Sequence, residues 1–144
     1  MKNRKKIDCI TFFDNSFMFD LRFNILKDYF DLFVVCESKY DHRNNPKKLH
    51  FDLKFLKDER IKYVVLDHPF PNGKDIWKNQ AIQREFLLKH SKSFAEDDDY
   101  IFFSDPDEIP NPKIFKDFKL TKKYGIFFQK CFNYKFNLFN PYET

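Results

Sequence analysis

Short apolar runs of strand type alternate along this chain with longer segments whose apolar residues recur at helical spacing. The strand-like runs are residues 7–13, 32–36, 61–66, 100–103 and 125–132, and the helical segments are residues 18–29 and 75–90, with short helices at 52–57 and from Pro112. Strands that alternate with helices build an α/β layer around a mostly parallel sheet. We therefore predict one α/β domain over residues 1–144, with run 100–103, apolar on both faces, as a central strand.

The composition excludes several classes of protein. Hydrophobic residues make up 42% of the 144 residues and aromatic residues 20%, which is enough for a packed core and excludes intrinsic disorder. The two glycines, Gly73 and Gly125, exclude a phosphate-binding P-loop and a dinucleotide fingerprint, since each needs several glycines close together. The 26 basic residues are dispersed among 22 acidic ones, so we expect no nucleic-acid partner.

The cysteines and the first apolar stretch bear on compartment and metal chemistry. Asp8 and Asp14 interrupt the stretch that an export signal would need, and no run approaches the roughly 20 apolar residues of a membrane span. This pattern predicts a cytoplasmic chain without a membrane span. Cys9, Cys36 and Cys131 lie in apolar runs without metal-ligand spacing, which favours buried, reduced thiols over a zinc site.

The most acidic short motif is Asp105-Pro106-Asp107-Glu108, directly after the fourth strand-like run. Ligands of open α/β sheets bind at the carboxyl ends of the strands. Three carboxylates in four residues repel one another, so we expect a cation to offset their charge, and Mg²⁺ or Mn²⁺ suits a few hard oxygen ligands combined with water and phosphate. An ordinary turn rich in Asp and Pro is the alternative that the residues alone leave open.

Two other interpretations of the acidic residues are weaker. A haloacid-dehalogenase-like phosphatase would use Asp105 as a nucleophile, but in that fold the nucleophile strand comes first in the chain. The second acidic run, residues 97–99, precedes a strand, so we expect it to be a solvated turn at the opposite edge of the sheet.

Four stretches of the chain carry a family resemblance. They are Ile7-Asp8-Cys9-Ile10-Thr11-Phe12-Phe13 with Asp20, Leu21, Arg22 and Asn24; Glu37, His42, Pro46, Lys47, Leu49 and Phe51; Trp77 with Gln83-Arg84; and Ser104-Asp105-Pro106-Asp107-Glu108-Ile109-Pro110. In order and spacing they resemble glycosyltransferase family 17, whose members have the nucleotide-sugar-dependent type A fold. The resemblance covers nearly all of this chain and about the first half of a typical member.

The resemblance implies a type A, Rossmann-like donor-binding domain, truncated at its C-terminus. It implies inverting, metal-dependent transfer of a sugar, N-acetylglucosamine, from a UDP-sugar to a glycan acceptor. Asp107 would be the direct ligand of Mn²⁺ or Mg²⁺, Asp105 would bind the metal or the donor ribose, and Glu108 would orient them. The catalytic base is expected in the half that this chain lacks. A non-catalytic module that binds a nucleotide sugar or a partner is the alternative.

Several residues keep two interpretations each. Arg84 and Arg22 are candidates for binding a donor phosphate or for ordering Asp105. Glu37, at the end of the second strand, is a candidate for contacting the donor nucleoside or for holding a nearby loop. Trp77 is expected in the core, with a platform for a sugar ring as the alternative. An unpaired apolar sheet edge near residues 127–136 would favour a homo-oligomer.

Overall fold

The structure is a computed structural model that describes residues 4–132 and 138–142. The chain divides into two compact units, Met1–Asp107 and Glu108–Thr144. The prediction that residues 1–144 form a single domain stays a prediction. No helix in the described ranges has the length and the apolar character needed to cross a bilayer.

The first unit alternates strands with helices. Its elements are β1 (Lys6–Phe12), α1 (Ser16–Leu26), β2 (Leu32–Ser38), β3 (Ile61–Leu66), α2 (Ile76–Ser91) and β4 (Tyr100–Ser104), with 3-10 turns at Leu53–Lys57 and Lys92–Phe94. The four strands pair in parallel in the order β3-β2-β1-β4. The predicted α/β class with a mostly parallel sheet is confirmed.

Side-chain caps set the starts of the two helices. The side chain of Asn15 accepts a hydrogen bond from the backbone N–H of Met18 at 2.9 Å, and that of Asp75 accepts one from Lys78 at 3.2 Å. Such caps satisfy N–H groups that the first turn of a helix leaves without a partner. Both helices therefore begin shortly beyond the carboxyl ends of the strands that precede them.

The core lies on the two faces of β1 and β2. Ile7, Cys9, Val34 and Cys36 pack with Leu87 of α2 on one face. Because successive strand residues point to opposite faces, the residues between them face α1. There the core is aromatic, and its rings are those of Phe12, Phe19, Phe23, Phe33, Phe51 and Phe55.

The buried thiols match the interpretation drawn from the sequence. Burial raises the pKa of both Cys9 and Cys36 to about 12, so they stay protonated at neutral pH. Cys131 is half-buried, and all three cysteines are free.

The prediction that 100–103 is a central strand is wrong for the described sheet. β4 pairs with β1 and forms an edge, and Ile101 is exposed. Its apolar character reflects the aromatic contact of Phe102 with Phe30 at 5.0 Å rather than a position between two strands.

The prediction that Trp77 lies in the core is also wrong, since 79% of the residue is exposed. The buried face of α2 carries Asn79, Gln83, Leu87 and Ser91. Asn79 donates to the backbone oxygens of His42 and Gly73, and Gln83 donates to the backbone oxygen of Cys36. These hydrogen bonds turn the amide face of the helix inward and Trp77 outward.

The described part of the second unit contains little regular structure. A 3-10 turn at Pro112–Phe115 confirms the short helix that was predicted from Pro112. The predicted strand at 125–132 is wrong over most of its length, because only β5 (Cys131–Phe132) is a strand, antiparallel to β6 (Phe139–Asn140). Phe127 packs instead against the ring of Phe115. The proposed oligomer edge at 127–136 lies partly outside the described residues, and self-association stays a prediction.

Candidate functional site

The carboxyl edge of the parallel sheet brings together several of the residues predicted from the sequence. Glu37 lies near the end of β2, and Asp105 directly follows β4. Because all four strands run in the same direction, their carboxyl ends share one edge, where α/β folds bind ligands. Asp97 and its neighbours precede β4, at the opposite edge, as predicted.

A buried ion pair joins β1 to α1 beneath this edge. Arg22 and Asp8 are 1% and 2% exposed. The Nε atom of Arg22 donates to Asp8 Oδ2 at 2.8 Å, and Nη2 donates to Oδ1 at 2.7 Å. The pairing of Asp8 with Arg22 was not predicted, although a charged residue inside an apolar strand is a visible signal of a buried partner.

The same guanidinium reaches the segment that follows β4. Arg22 Nη2 donates to Ser104 Oγ at 2.7 Å, and Nη1 donates to the backbone oxygens of Asp105 at 3.2 Å and Pro106 at 3.4 Å. Arginine has five N–H donors, and these bonds together with the pair to Asp8 occupy all five. Arg22 is therefore engaged within the protein, so of its two interpretations the structure supports the ordering of the Asp105 segment.

Arg84 of α2 holds the side chain of Asp105. Its Nη2 atom lies 2.8 and 3.0 Å from the two carboxylate oxygens, and its guanidinium stands 5.7 Å from the ring centroid of Phe103. The sequence argument expected a metal ion to offset the charge of the acidic motif. For Asp105 that charge is offset by Arg84, whose side chain is still 37% exposed.

Asp107 differs from Asp105 in having an open carboxylate. The residue is exposed, and within the described part of the first unit no hydrogen bond or ion pair holds it. Glu108, also exposed, is the first residue of the second unit. The two arginines thus fix the motif up to Pro106 and leave the next carboxylate facing solvent.

The donor atoms of the motif suit a metal ion that shares its coordination with a substrate. Among the residues that the structure describes, no group of three or more His, Cys, Asp or Glu side chains could hold a metal ion. Magnesium commonly binds through one or two carboxylates and fills its other positions with water and substrate phosphates. The open carboxylate of Asp107 fits that mode, whereas both oxygens of Asp105 already accept from Arg84.

Glu37 holds a loop rather than facing solvent. It is 0% exposed, and its Oε1 atom accepts from Lys47 Nζ and from the backbone N–H of His50 at 2.9 Å. Its Oε2 atom accepts from the backbone N–H of Phe51 at 3.1 Å and from the Tyr63 hydroxyl at 2.6 Å. Burial and this carboxylate raise the pKa of Tyr63. The geometry matches the loop-holding interpretation, and a donor contact by Glu37 stays a prediction.

A polar network that the sequence analysis missed joins α2 to the loops at the same edge. The His42 Nε2 atom lies 2.7 Å from Gln83 Oε1, and Asn79 bridges His42 and Gly73 through its amide nitrogen. The Asn79 Oδ1 atom is buried and has no partner among the described atoms. The signal in the sequence is a pair of amides at i, i+4 spacing on one helix.

A comparison with models of protein families shows to which family the chain is related. The sequence model of glycosyltransferase family 17 matches residues 1–139. The chain belongs to glycosyltransferase family 17. The resemblance drawn from the four sequence stretches is thereby confirmed, and the parallel α/β sheet is compatible with a family 17 enzyme.

Curated relatives are mammalian members of the family. The β-1,4-mannosyl-glycoprotein 4-β-N-acetylglucosaminyltransferases of Rattus norvegicus and Homo sapiens are each 32% identical to this chain over 118 residues, and that of Mus musculus is 31% identical. Each alignment covers 74% of this chain and 22% of the relative, so the chain spans about a fifth of their length. No solved structure matches the chain.

Proposed function

We propose that this family 17 chain binds a UDP-sugar, with N-acetylglucosamine as the sugar, for transfer to a glycan acceptor. The names of its relatives support the sugar and the glycan acceptor. The single observation that carries the site is the open carboxylate of Asp107 at the carboxyl edge of a parallel sheet. A type A donor-binding fold is part of the proposal, and the strand order β3-β2-β1-β4 is compatible with it.

The proposed chemistry centres on the departure of UDP. Mn²⁺ or Mg²⁺, when bound, supplies a Lewis acid that offsets the negative charge developing on the diphosphate. Asp107 would hold the ion. Arg84 keeps Asp105 oriented and has enough exposed surface to contact a donor phosphate as well. Glu108, the next residue in the chain, would orient Asp107.

Glu37 would contribute to donor binding through the loop that it holds. The carboxylate of Glu37 is buried, whereas Leu49 and His50 of that loop are exposed. We therefore propose that any contact between the donor and this end of β2 is made by the loop. Inverting transfer also needs a base for the acceptor hydroxyl, and none of the described residues is assigned to it.

A nucleotide-sugar-binding module without turnover is the second candidate. It shares the proposed donor site, and turnover in the assay below separates the two candidates. A phosphatase with Asp105 as nucleophile has less support, because Arg84 already engages both oxygens of that carboxylate.

The test is an assay of UDP release from UDP-N-acetylglucosamine by the purified protein, with and without MnCl₂ and with a glycan acceptor. We expect Mn²⁺-dependent release that falls by at least about tenfold in Asp107→Ala, as loss of a metal ligand requires. Asp97→Ala is the matched control, because it removes an exposed acid from the opposite edge of the sheet. Equal activity in Asp107→Ala and the wild type contradicts the proposal. Mn²⁺-dependent UDP binding without turnover supports the module instead.

A further inference from the structure

We infer that Arg22, anchored by Asp8, is a positioning residue that fixes the backbone of residues 104–106 and thereby sets the direction of Asp107. The role of Asp107 as a metal ligand is taken from the proposed function, on which this inference rests. The order that Arg22 imposes on the segment follows from the geometry alone.

The first step is the division of the Arg22 donors between two sides. The Nε–H and one N–H of Nη2 donate to Asp8 on β1. The remaining donors bind Ser104 Oγ and the backbone oxygens of Asp105 and Pro106. The guanidinium is planar and rigid, so its donors keep a fixed angle between the two sides. The segment after β4 is consequently tied to the interior of β1 and cannot shift without breaking several bonds.

The second step is that stability alone does not account for this arrangement. A buried ion pair stabilises a fold no more, and often less, than apolar side chains of the same volume. Arg22 and Asp8 lie on the face of the sheet that packs against α1, where the neighbouring core residues are apolar. What an apolar pair cannot supply is three donors aimed at one turn. The pair is therefore suited to specifying the conformation of residues 104–106.

The third step is the contrast with Arg84. Arg84 comes from α2, is partly exposed and holds only the side chain of Asp105. Arg22 comes from α1, is enclosed and holds the main chain. Arg22 fixes the backbone and Arg84 fixes the carboxylate of Asp105, so the carbonyl group of Pro106, to which Asp107 is bonded, is already held in place. A preorganised ligand pays less entropy when an ion binds.

The test compares Arg22→Lys with Arg60→Lys. Lysine keeps the charge but is a point donor that cannot serve both sides of the fork. Arg60 is the matched control, because its guanidinium also forks to a carboxylate, that of Asp58, and to a backbone oxygen, that of Lys27. It lies just before β3, at the amino edge of the sheet.

Two measurements are made on the full chain: hydrogen exchange of the backbone amides of Asp105, Asp107 and Glu108, since Pro106 has none, and the affinity for Mn²⁺ in the presence of UDP. We expect Arg22→Lys to speed exchange in this segment by about tenfold or more and to weaken Mn²⁺ binding by about tenfold or more. Arg60→Lys should leave both within about twofold of the wild type. A folded Arg22→Lys with wild-type exchange and wild-type Mn²⁺ affinity overturns the inference.

The two proposals fail in different ways. If the wild type binds no Mn²⁺ with UDP, the proposed function fails, and the exchange measurement alone decides whether Arg22 orders the segment. If Arg22→Lys does not fold, Ser104→Ala decides, since it removes one of the bonds from Arg22 to the segment. Faster exchange at residues 105–108 in Ser104→Ala supports the inference, and unchanged exchange overturns it.

Discussion

Replacing Glu37 with glutamine removes the negative charge from a buried site while nearly preserving the size of the side chain. Each carboxylate oxygen of Glu37 accepts from two donors: Lys47 and the His50 amide on one side, the Phe51 amide and Tyr63 on the other. A glutamine therefore turns its NH₂ group toward two donors in either orientation. The Lys47 ammonium, 10% exposed, loses its counter-charge.

The cost follows from that geometry. Removing one partner of a buried ion pair destabilises a protein by about 3–5 kcal/mol, because the other charge stays buried without compensation. For a chain of 144 residues, 1 kcal/mol corresponds to a shift of roughly 2–4 °C in Tm. We therefore expect Glu37→Gln to lower Tm by at least about 6 °C, the product of the two lower bounds.

The assay is urea and thermal unfolding, followed by circular dichroism, with Glu59→Gln as the matched control. Glu59 is exposed, so the same chemical change there should alter the free energy of unfolding by less than about 0.5 kcal/mol. The double variant Glu37→Gln with Lys47→Met should recover part of the loss, because it removes the orphaned charge.

One result would refute the reasoning. If Glu37→Gln unfolds within about 1 kcal/mol of the wild type but weakens UDP binding, Glu37 is a donor contact and does not hold the loop. A loss of stability in Glu37→Gln therefore indicates that Glu37 holds the loop, and a loss of UDP affinity without it indicates a donor contact.

Three further predictions concern the cysteines and the tryptophan. Cys9 and Cys36, whose pKa is raised to about 12, should react with a thiol reagent only as the protein unfolds, whereas the half-buried Cys131 can react in the native state. Rapid reaction of more than one thiol per native chain would contradict the burial of Cys9 and Cys36. The thiols lose their protons near pH 9 in the unfolded chain but not in the folded one. The free energy of unfolding should therefore fall as the pH rises from about 9 to 12, by up to roughly 1.4 kcal/mol per pH unit for each thiol. Urea titrations at stepped pH check this. Trp77, the single tryptophan, should show solvent-exposed fluorescence and strong quenching by acrylamide, and Trp77→Ala should change stability by less than about 0.5 kcal/mol; a blue-shifted, protected emission would contradict its position.

The sequence was sufficient for the parallel sheet of the first unit. Its strands are compact apolar runs, and helices of amphipathic spacing separate them, so the pattern leaves few alternatives. The starts of α1 and α2 depend on the capping residues Asn15 and Asp75, which follow local rules. Local signals of this kind are readable without tertiary contacts.

The failures come from interactions between distant residues. Residues 125–132 have strand composition, but a strand also needs a partner, and in the described structure only Cys131 and Phe132 have one, on β6. The orientation of α2 is set by Asn79 and Gln83, whose hydrogen bonds to loop carbonyls outweigh the exposure of an apolar ring. Apolar periodicity does not register such bonds.

The position of the candidate site follows from the predicted topology, whereas its supporting contacts do not. The topology alone places Asp105 and Glu37 at the carboxyl edge. The pairing of Arg84 with Asp105 joins residues 21 positions apart, and that of Arg22 with Asp8 joins residues 14 apart, on different elements. No spacing rule connects them, so the sequence could offer each arginine only as one of two alternatives.

The central claim is that Asp107 presents an open carboxylate to a metal-bound UDP group. Isothermal titration of the purified chain with UDP in the presence of MnCl₂ tests this most directly. We predict binding that requires Mn²⁺, that disappears in Asp107→Ala and that is retained in Asp97→Ala. Binding of UDP that is indifferent to Mn²⁺, or equal in Asp107→Ala and the wild type, would contradict it.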